Sequence, residues 1–237
     1  NSGYASTAAI TTARNNARAV RTALSRDVWE ALNTTYNELH AIDRSKIADK
    51  DLPEFLDWVR QRSMLFHGAV TSTILRKDTF FFSELGTYIE RADSTARILD
   101  VKYHVLLPSV QDVGRAVDYY QWSAVLRSVS AFEAYRKVYR DAITPLKLAE
   151  LLILRDDIPR SLHFCMRQVS ETLELVKNSR SAETQRRAGQ ILSQLRYGRI
   201  SDIFATGLHE YLTQYLDAMQ ELGSHVQGSF FAPTLPE

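Results

Sequence analysis

Side chains that carry or exchange protons recur at steps of three or four residues in the middle of the chain. They are Glu90, Asp93, Arg97, Asp100 and His104. Because a helix completes a turn in about 3.6 residues, this spacing places them on one flank of a single helix. Carboxylates beside an imidazole suit general acid–base catalysis, and a guanidinium suits the binding of a carboxylate or phosphate. This flank, called the polar flank below, is the first candidate for chemistry.

Two interpretations of the polar flank stay open. In the first it is a solvated face, on which Asp93 and Asp100 each pair with the basic residue four positions further on. In the second it is a partly buried polar seam, in which Glu90 and the adjacent Arg91 meet partners on other helices. Arg91 points about 100° around the helix from Glu90, so the two are not expected to pair with each other. The best partners for the acidic residues form a basic stripe near the N-terminus, Arg14, Arg18 and Arg21.

Signatures of metal, nucleotide or hydrolase sites are missing from the sequence. It contains no Glu-x-x-His pair of the kind used by di-iron bundles, no glycine-rich phosphate loop and no Gly-x-Ser-x-Gly elbow. We therefore expect no metal and no cofactor. The one cysteine, Cys165, excludes an intrachain disulfide and suits a reducing compartment, so we expect a cytoplasmic protein. Its side chain is expected to be buried as a small apolar group.

Composition excludes several classes of protein. The chain has 237 residues, of which 45% are hydrophobic and 24% charged, as is usual for a globular protein. Its 29 basic and 28 acidic residues leave a net charge of +1, which gives no electrostatic reason to expect binding to nucleic acid or to an acidic membrane. No apolar stretch reaches the roughly 18 residues of a membrane span. We expect one domain over residues 1–237.

Helical periodicity runs through almost the whole chain and predicts an all-α bundle of eight or nine helices. The polar flank lies on a long helix from Asp78 to about Leu107, whose apolar stripe begins at Leu85 and ends at Tyr103. Thr144 and Pro145 are an N-cap followed by proline at the first helical position. The helices expected elsewhere cover residues 5–24, 27–42, 51–75, 119–141, 145–154, 157–178, 181–196 and 201–226. Asp51 and Ser201 are the expected caps of the helices that begin with them, and Asp157-Ile158-Pro159 opens the helix that ends at 178.

The stretch LGTYIERADSTARILDVKY (85–103) resembles the signature of the alpha-E domain family, a bacterial all-α family named for its Glu-Arg motif. The resemblance extends over nearly all of the chain. It includes TARNNARAVR with VWEALN, WSAVLRSVSAFEAYRKVY, LAELLILRDDIPRSLHFC and GLHEYL. It implies a duplicated unit, in which residues 1–24 end a first copy and 80–178 form most of a second. The earlier Glu-Arg helix of the first copy is not found here.

The resemblance also implies a function, because family members are found beside or fused to ATP-grasp proteins, with transglutaminase-like proteins nearby. The first expectation is a non-catalytic interaction or scaffold subunit of a peptide-ligation or peptide-modification system. Its partners would be an ATP-grasp-type ligase and a transglutaminase-like protein, and a homo-oligomer stays open. The alternative is an enzyme of that system, with Glu90 or Asp93 as general base and Arg91 or Arg97 as anion clamp. A small-molecule sensor bundle is a third, weaker alternative.

Overall fold

The computed structural model describes residues 2–42, 52–105 and 116–232, and within them all side chains except those of 2–6, 102–105 and 116–118. These residues form eleven α-helices and no strand, which confirms the predicted all-α fold class. None of the described helices is both long and apolar enough to cross a lipid bilayer. The chain divides into two compact units, Asn1–Phe82 and Ser83–Glu237. The expected duplication stays a prediction.

The first unit is built from long amphipathic helices. They are α1 (Ser2–Ala19), α2 (Arg26–Ala41), α3 (Leu52–Thr73) and the start of α4 (Asp78–Val105), with a single 3-10 turn at Arg21–Ala23. Ser25 caps α2, because its side chain accepts a hydrogen bond of 3.2 Å from the backbone N–H of Val28. The buried apolar cluster of the unit consists of Val28, Val70, Ile74 and Phe80. The two tryptophans of the unit, Trp29 and Trp58, are partly exposed.

The second unit continues α4 and adds seven helices. They are α5 (Ala116–Ser128), α6 (Phe132–Tyr139), α7 (Pro145–Ile153), α8 (Leu162–Leu175), α9 (Ala182–Tyr197), α10 (Ile200–Thr206) and α11 (Leu208–Val226), followed by a π-helical turn at Gln227–Phe231. The short α7 is the most deeply buried helix, with Leu148, Ala149 and all of residues 151–153 at most 1% exposed. Trp122 of α5 is 1% exposed. The core of this unit is therefore well enclosed.

The expected count of eight or nine helices is too low, because two segments predicted as single helices are each divided. The segment 119–141 breaks at Ser130, whose φ of +54° lies in the left-handed region. The segment 201–226 breaks at Gly207, whose φ is +102°. An α-helix requires φ near −63°, so neither residue can continue the helix that precedes it.

Helix caps are predicted with mixed success. Thr144 is confirmed as the N-cap of α7, since its side chain accepts a hydrogen bond from the backbone N–H of Lys147 and Pro145 follows at the first helical position. The predicted start at Asp157 is wrong. The N-cap of α8 is Ser161, whose side chain accepts a hydrogen bond of 2.9 Å from the backbone N–H of Phe164.

Two more expected caps have different outcomes. Ser201 is not a cap, because α10 already begins at Ile200, and the last helix begins separately at Leu208. The cap predicted at Asp51 lies outside the described residues. A serine near the start of a helix is not always its N-cap, so the residue type of Ser201 alone did not identify the capping position.

We predict that Gly207→Ala lowers the free energy of unfolding by about 1–3 kcal/mol, because a φ of +102° strains any residue with a Cβ atom. The matched control is Gly189→Ala in the middle of α9, where an added Cβ meets nothing within 4 Å. That variant should gain about 0.5–1 kcal/mol from the higher helix propensity of alanine. Urea unfolding measures both. Similar changes in the two variants would contradict the structural role of Gly207.

Candidate functional site

The long helix α4 turns its apolar stripe inward within the second unit. Leu85, Ala92, Ala96 and Leu99 are each at most 2% exposed, and Ile89 is partly buried. The side chain of Tyr103 lies outside the described ones. This orientation follows from the steps of three and four residues between the apolar positions. It places the polar flank at the edge of the core, where some of its side chains meet neighbouring elements and others meet solvent.

Asp93 and Arg97 form an ion pair on α4, in the i,i+4 arrangement predicted. The Arg97 Nε lies 2.7 Å from Asp93 Oδ2, and its Nη2 lies 3.0 Å from Oδ1, so the contact is bidentate. The hydrogen bond from Asp93 and its negative charge raise the pKa of Arg97. Both oxygens of Asp93 are occupied by this contact. Neither member of the pair is free to act on a substrate while the contact holds.

Asp100 binds a residue that sequence reasoning did not pair with it. Its Oδ1 lies 2.6 Å from Nδ1 of His209 in the first turn of α11. The side chain of His104, the partner expected on α4 itself, lies outside the described ones. His209 belongs to the GLHEYL segment already associated with the family, but 109 residues separate it from Asp100. No local spacing rule connects residues that far apart. The contact fixes α11 against α4.

Thr95 makes a second contact between α4 and a distant segment. Its Oγ1 donates a hydrogen bond of 2.9 Å to the backbone carbonyl of Arg160, just before α8. Thr95 is 1% exposed, so the hydroxyl has no access to water as a substitute partner. The segment before α8 is further held by a hydrogen bond of 2.8 Å between His163 Nδ1 and the Leu154 carbonyl. These contacts position Arg160 beside α4.

The Glu-Arg pair is divided between two environments. Glu90 is exposed, while Arg91 is partly buried with its guanidinium 5.3 Å from the ring centroid of Tyr88. The two side chains thus diverge, as their adjacent positions on a helix require. Burial lowers the pKa of Arg160, and the positive charge of Arg91 lowers it further.

The buried centre behind these residues contains a thiol and a phenol. Cys165 is fully buried, as expected, and burial raises its pKa to about 12, although the charges of Arg91 and Arg160 oppose the shift. Burial also raises the pKa of Tyr215, with smaller contributions from Cys165 and other neighbours. The Tyr215 hydroxyl is buried without a hydrogen-bond partner in the part of the chain that the structure describes. Burial therefore favours the neutral form of both groups.

The basic stripe of the first unit contacts α2. The guanidinium of Arg14 lies 4.8 Å from the ring centroid of Tyr36, and that of Arg21 lies 5.3 Å from the ring of Trp29. Arg18 is exposed. Cation–π contacts of this kind account for two of the three arginines within their own unit. Their expected pairing with the acidic residues of the polar flank stays a prediction.

An open apolar groove lies between α4 and α5. It is lined by Arg97, Ile98 and Val101 of α4 and by Gln121, Ala124, Val125 and Ser128 of α5. Val101 is 55% exposed although it is purely apolar. Among residues 2–42, 52–105 and 116–232, no group of three or more His, Cys, Asp or Glu side chains could hold a metal ion.

The eleven described helices define an all-α protein, and within its second unit the Glu-Arg helix α4 is bonded to distant segments through Thr95 and Asp100. The chain belongs to the Alpha-E family, described as a predicted alpha-helical domain with a conserved ER motif, whose model matches residues 4–231. Glu90-Arg91 is the one Glu-Arg dipeptide in the sequence. No curated protein and no solved structure matches the chain.

We predict that Thr95→Val destabilises the protein by about 1–2 kcal/mol, because the buried carbonyl of Arg160 loses its donor while the shape of the side chain is retained. Glu90→Gln on the same helix is the control. It should change the free energy of unfolding by at most about 0.5 kcal/mol, since Glu90 is exposed. Urea unfolding compares the two. A Thr95→Val protein as stable as the control would contradict the bridging role of Thr95.

We also predict that Cys165 is almost inert toward thiol reagents in the folded protein. With a pKa of about 12, only about one thiol in ten thousand is ionised at pH 8, whereas an unperturbed cysteine is substantially ionised there. Labelling with Ellman's reagent should be slow in buffer and rapid in concentrated guanidinium chloride. Equal rates under the two conditions would show that Cys165 is neither buried nor shifted.

Proposed function

We propose that this chain is a non-catalytic helical interaction subunit of an ATP-grasp-associated system for peptide ligation or peptide modification, acting in the bacterial cytoplasm. Its principal partner would be an ATP-grasp-type ligase, with a transglutaminase-like protein as a further partner. The family resemblance supports this choice of partners. The observation that carries the proposal is the open apolar groove between α4 and α5.

The groove has the character of a docking surface. Exposed apolar side chains that are grouped in a concave surface gain free energy when a partner covers them. Val101 and Ile98 project from α4, the helix that bears the Glu-Arg motif, so a partner seated there would contact that helix directly. The bonds from Thr95 and Asp100 to distant segments hold α4 in place. One wall of the groove is therefore preorganised, which reduces the entropy lost on binding.

The enzyme of the same system remains the second candidate, and one observation favours it. The carboxylate of Glu90 is exposed and forms no hydrogen bond or ion pair with the described residues, whereas Asp93 is occupied by Arg97. If the chain is catalytic, Glu90 is the better general base of the two. A general base must be able to reach a substrate proton, and Asp93 would first have to leave its ion pair.

The docking proposal is tested by Val101→Asp, which places a charge in the groove. We expect binding to an ATP-grasp-type ligase to weaken at least about tenfold, because the carboxylate would be buried against apolar groups. Leu175→Asp is the matched control, since Leu175 is 65% exposed at the end of α8 and does not line the groove. A sizing column with light scattering, followed by titration calorimetry, measures the complex.

Four outcomes separate the candidates. If the unmodified chain ignores the ligase, or if both aspartate variants bind it equally well, the docking proposal is wrong. If the unmodified chain does bind the ligase, Glu90→Gln distinguishes the scaffold from the enzyme. A variant that stays folded and bound while the coupled reaction stops would favour catalysis by Glu90, and one that supports the reaction fully would favour the scaffold.

A further inference from the structure

Arginines surround an aromatic contact between α4 and α8. The rings of Tyr88 and Phe164 have centroids 6.0 Å apart. The guanidinium of Arg91 lies 5.3 Å from the centroid of Tyr88, and that of Arg167 lies 5.2 Å from the centroid of Phe164. Each ring therefore carries a cation at cation–π distance. The aromatic pair fixes two guanidiniums on neighbouring helices.

Arg160 brings a further positive charge to the same place. Its backbone is held to α4 by the hydrogen bond from Thr95, which lies one helical turn after Arg91. Its side chain is partly buried. The charge of Arg91 acts on Arg160, and both charges act on the buried thiol of Cys165. Arg91 and Arg160 thus lie on two segments that are bonded together, and both side chains have restricted access to water.

These guanidiniums are not neutralised by the carboxylates that the structure describes. Neither Arg91 nor Arg160 forms an ion pair with a described residue, and Arg167 gives one hydrogen bond to the Asp156 carbonyl while its buried Nε has no acceptor. Glu84 acts on Tyr88, but it lies seven residues, or about 10 Å along the helix, before Arg91.

Other arginines of the same unit are paired with carboxylates. Arg97 binds Asp93, Arg155 binds Asp157, and Arg186 binds Glu183. Arg91, Arg160 and Arg167 are the opposite case. A positive charge removed from water without a counter-charge raises the free energy of the folded protein, so an anion that enters between them is favoured.

We propose that Arg91 and Arg160, with Arg167 nearby, form a binding site for an oxyanion, either the carboxylate of a peptide or small molecule or a phosphate group. Two adjacent guanidiniums offer several N–H donors in a fixed planar arrangement, which suits both anions. Arg91 supplies one side of the site from α4, and Arg160 supplies the other from the segment before α8. The site differs from a clamp of Arg91 with Arg97, because Arg97 is occupied by Asp93.

The experiment uses the isolated chain and does not involve the ligase. Its melting temperature is measured with sodium phosphate, and separately with the acetylated dipeptide Ala-Glu, each against sodium chloride at equal ionic strength. The diamide of the dipeptide is the control for the carboxylate. At about ten times its Kd, a bound anion should raise the melting temperature by a few degrees. Calorimetric titration at 25 °C then gives the affinity.

Arg91→Gln and Arg160→Gln should each reduce the affinity at least about tenfold, and Arg160→Lys should reduce it less, because it keeps the charge but loses the planar donors. Arg196→Gln is the matched control, since Arg196 also lies over a tyrosine ring, 5.7 Å from the centroid of Tyr197, but on α9. It should bind as the unmodified chain does. Arg160→Lys keeps the test valid if a glutamine variant does not fold.

A shift with phosphate alone would assign the site to phosphate, and one with the dipeptide but not its diamide would assign it to a carboxylate. Equal shifts in the unmodified chain and in the Arg91 and Arg160 variants would reveal a general salt effect and overturn the proposal. Absence of binding to either anion would overturn it as well. These results do not depend on the docking groove, so either proposal can fail alone.

Discussion

A polar side chain in or beside a core must find a partner, and two side chains of α4 meet this requirement through distant segments of the second unit. Thr95 and Asp100 satisfy it through a backbone carbonyl before α8 and an imidazole on α11. Each of these bonds joins elements that are far apart along the chain. A buried donor left without an acceptor costs about 1–3 kcal/mol, so alternative rotations or translations of α4 that break these bonds are disfavoured. Apolar packing alone tolerates such changes more readily.

The predictable parts of the structure are those governed by nearby residues. The orientation of α4 follows from its apolar spacing, and the Asp93–Arg97 pair follows from an interval of four residues on one helix. His209 and Arg160 were not predictable as partners, because their contacts join residues 109 and 65 positions apart. Sequence periodicity carries no information about which distant element will pack against a given flank.

The two breaks that raise the number of helices above the expected count differ in how clearly the sequence signals them. Gly207 was available as a signal, since glycine adopts a positive φ without strain and commonly ends a helix. The break at Ser130 has no such signal, because serine has no preference for the left-handed region. On the polar flank, the spacing of four residues left an ion-paired face and a partly buried seam as alternatives. The structure contains the Asp93–Arg97 ion pair of the first alternative, and Arg91, beside the flank, is partly buried as in the second.

One helix carries both proposed binding surfaces. Arg91 and Ile98 are seven residues apart, two helical turns or about 10 Å along the same face of α4. An extended peptide covers this distance with about three residues. A chain segment anchored in the apolar groove by a side chain could therefore place an acidic group three residues away between Arg91 and Arg160. The spacing joins an apolar contact, which supplies affinity, to a charged contact, which supplies selectivity.

The distribution of the three tryptophans has an optical consequence. Trp29 and Trp58 belong to the first unit and are partly exposed, whereas Trp122 is buried in the second. Indole emission moves to longer wavelength as the ring meets water, so the intrinsic fluorescence of the chain combines a red component from one unit with a blue component from the other. Replacing Trp29 and Trp58 by phenylalanine would leave the emission of Trp122 alone. The chain thus contains a spectroscopic reporter for each unit, and no external dye is needed to follow them separately.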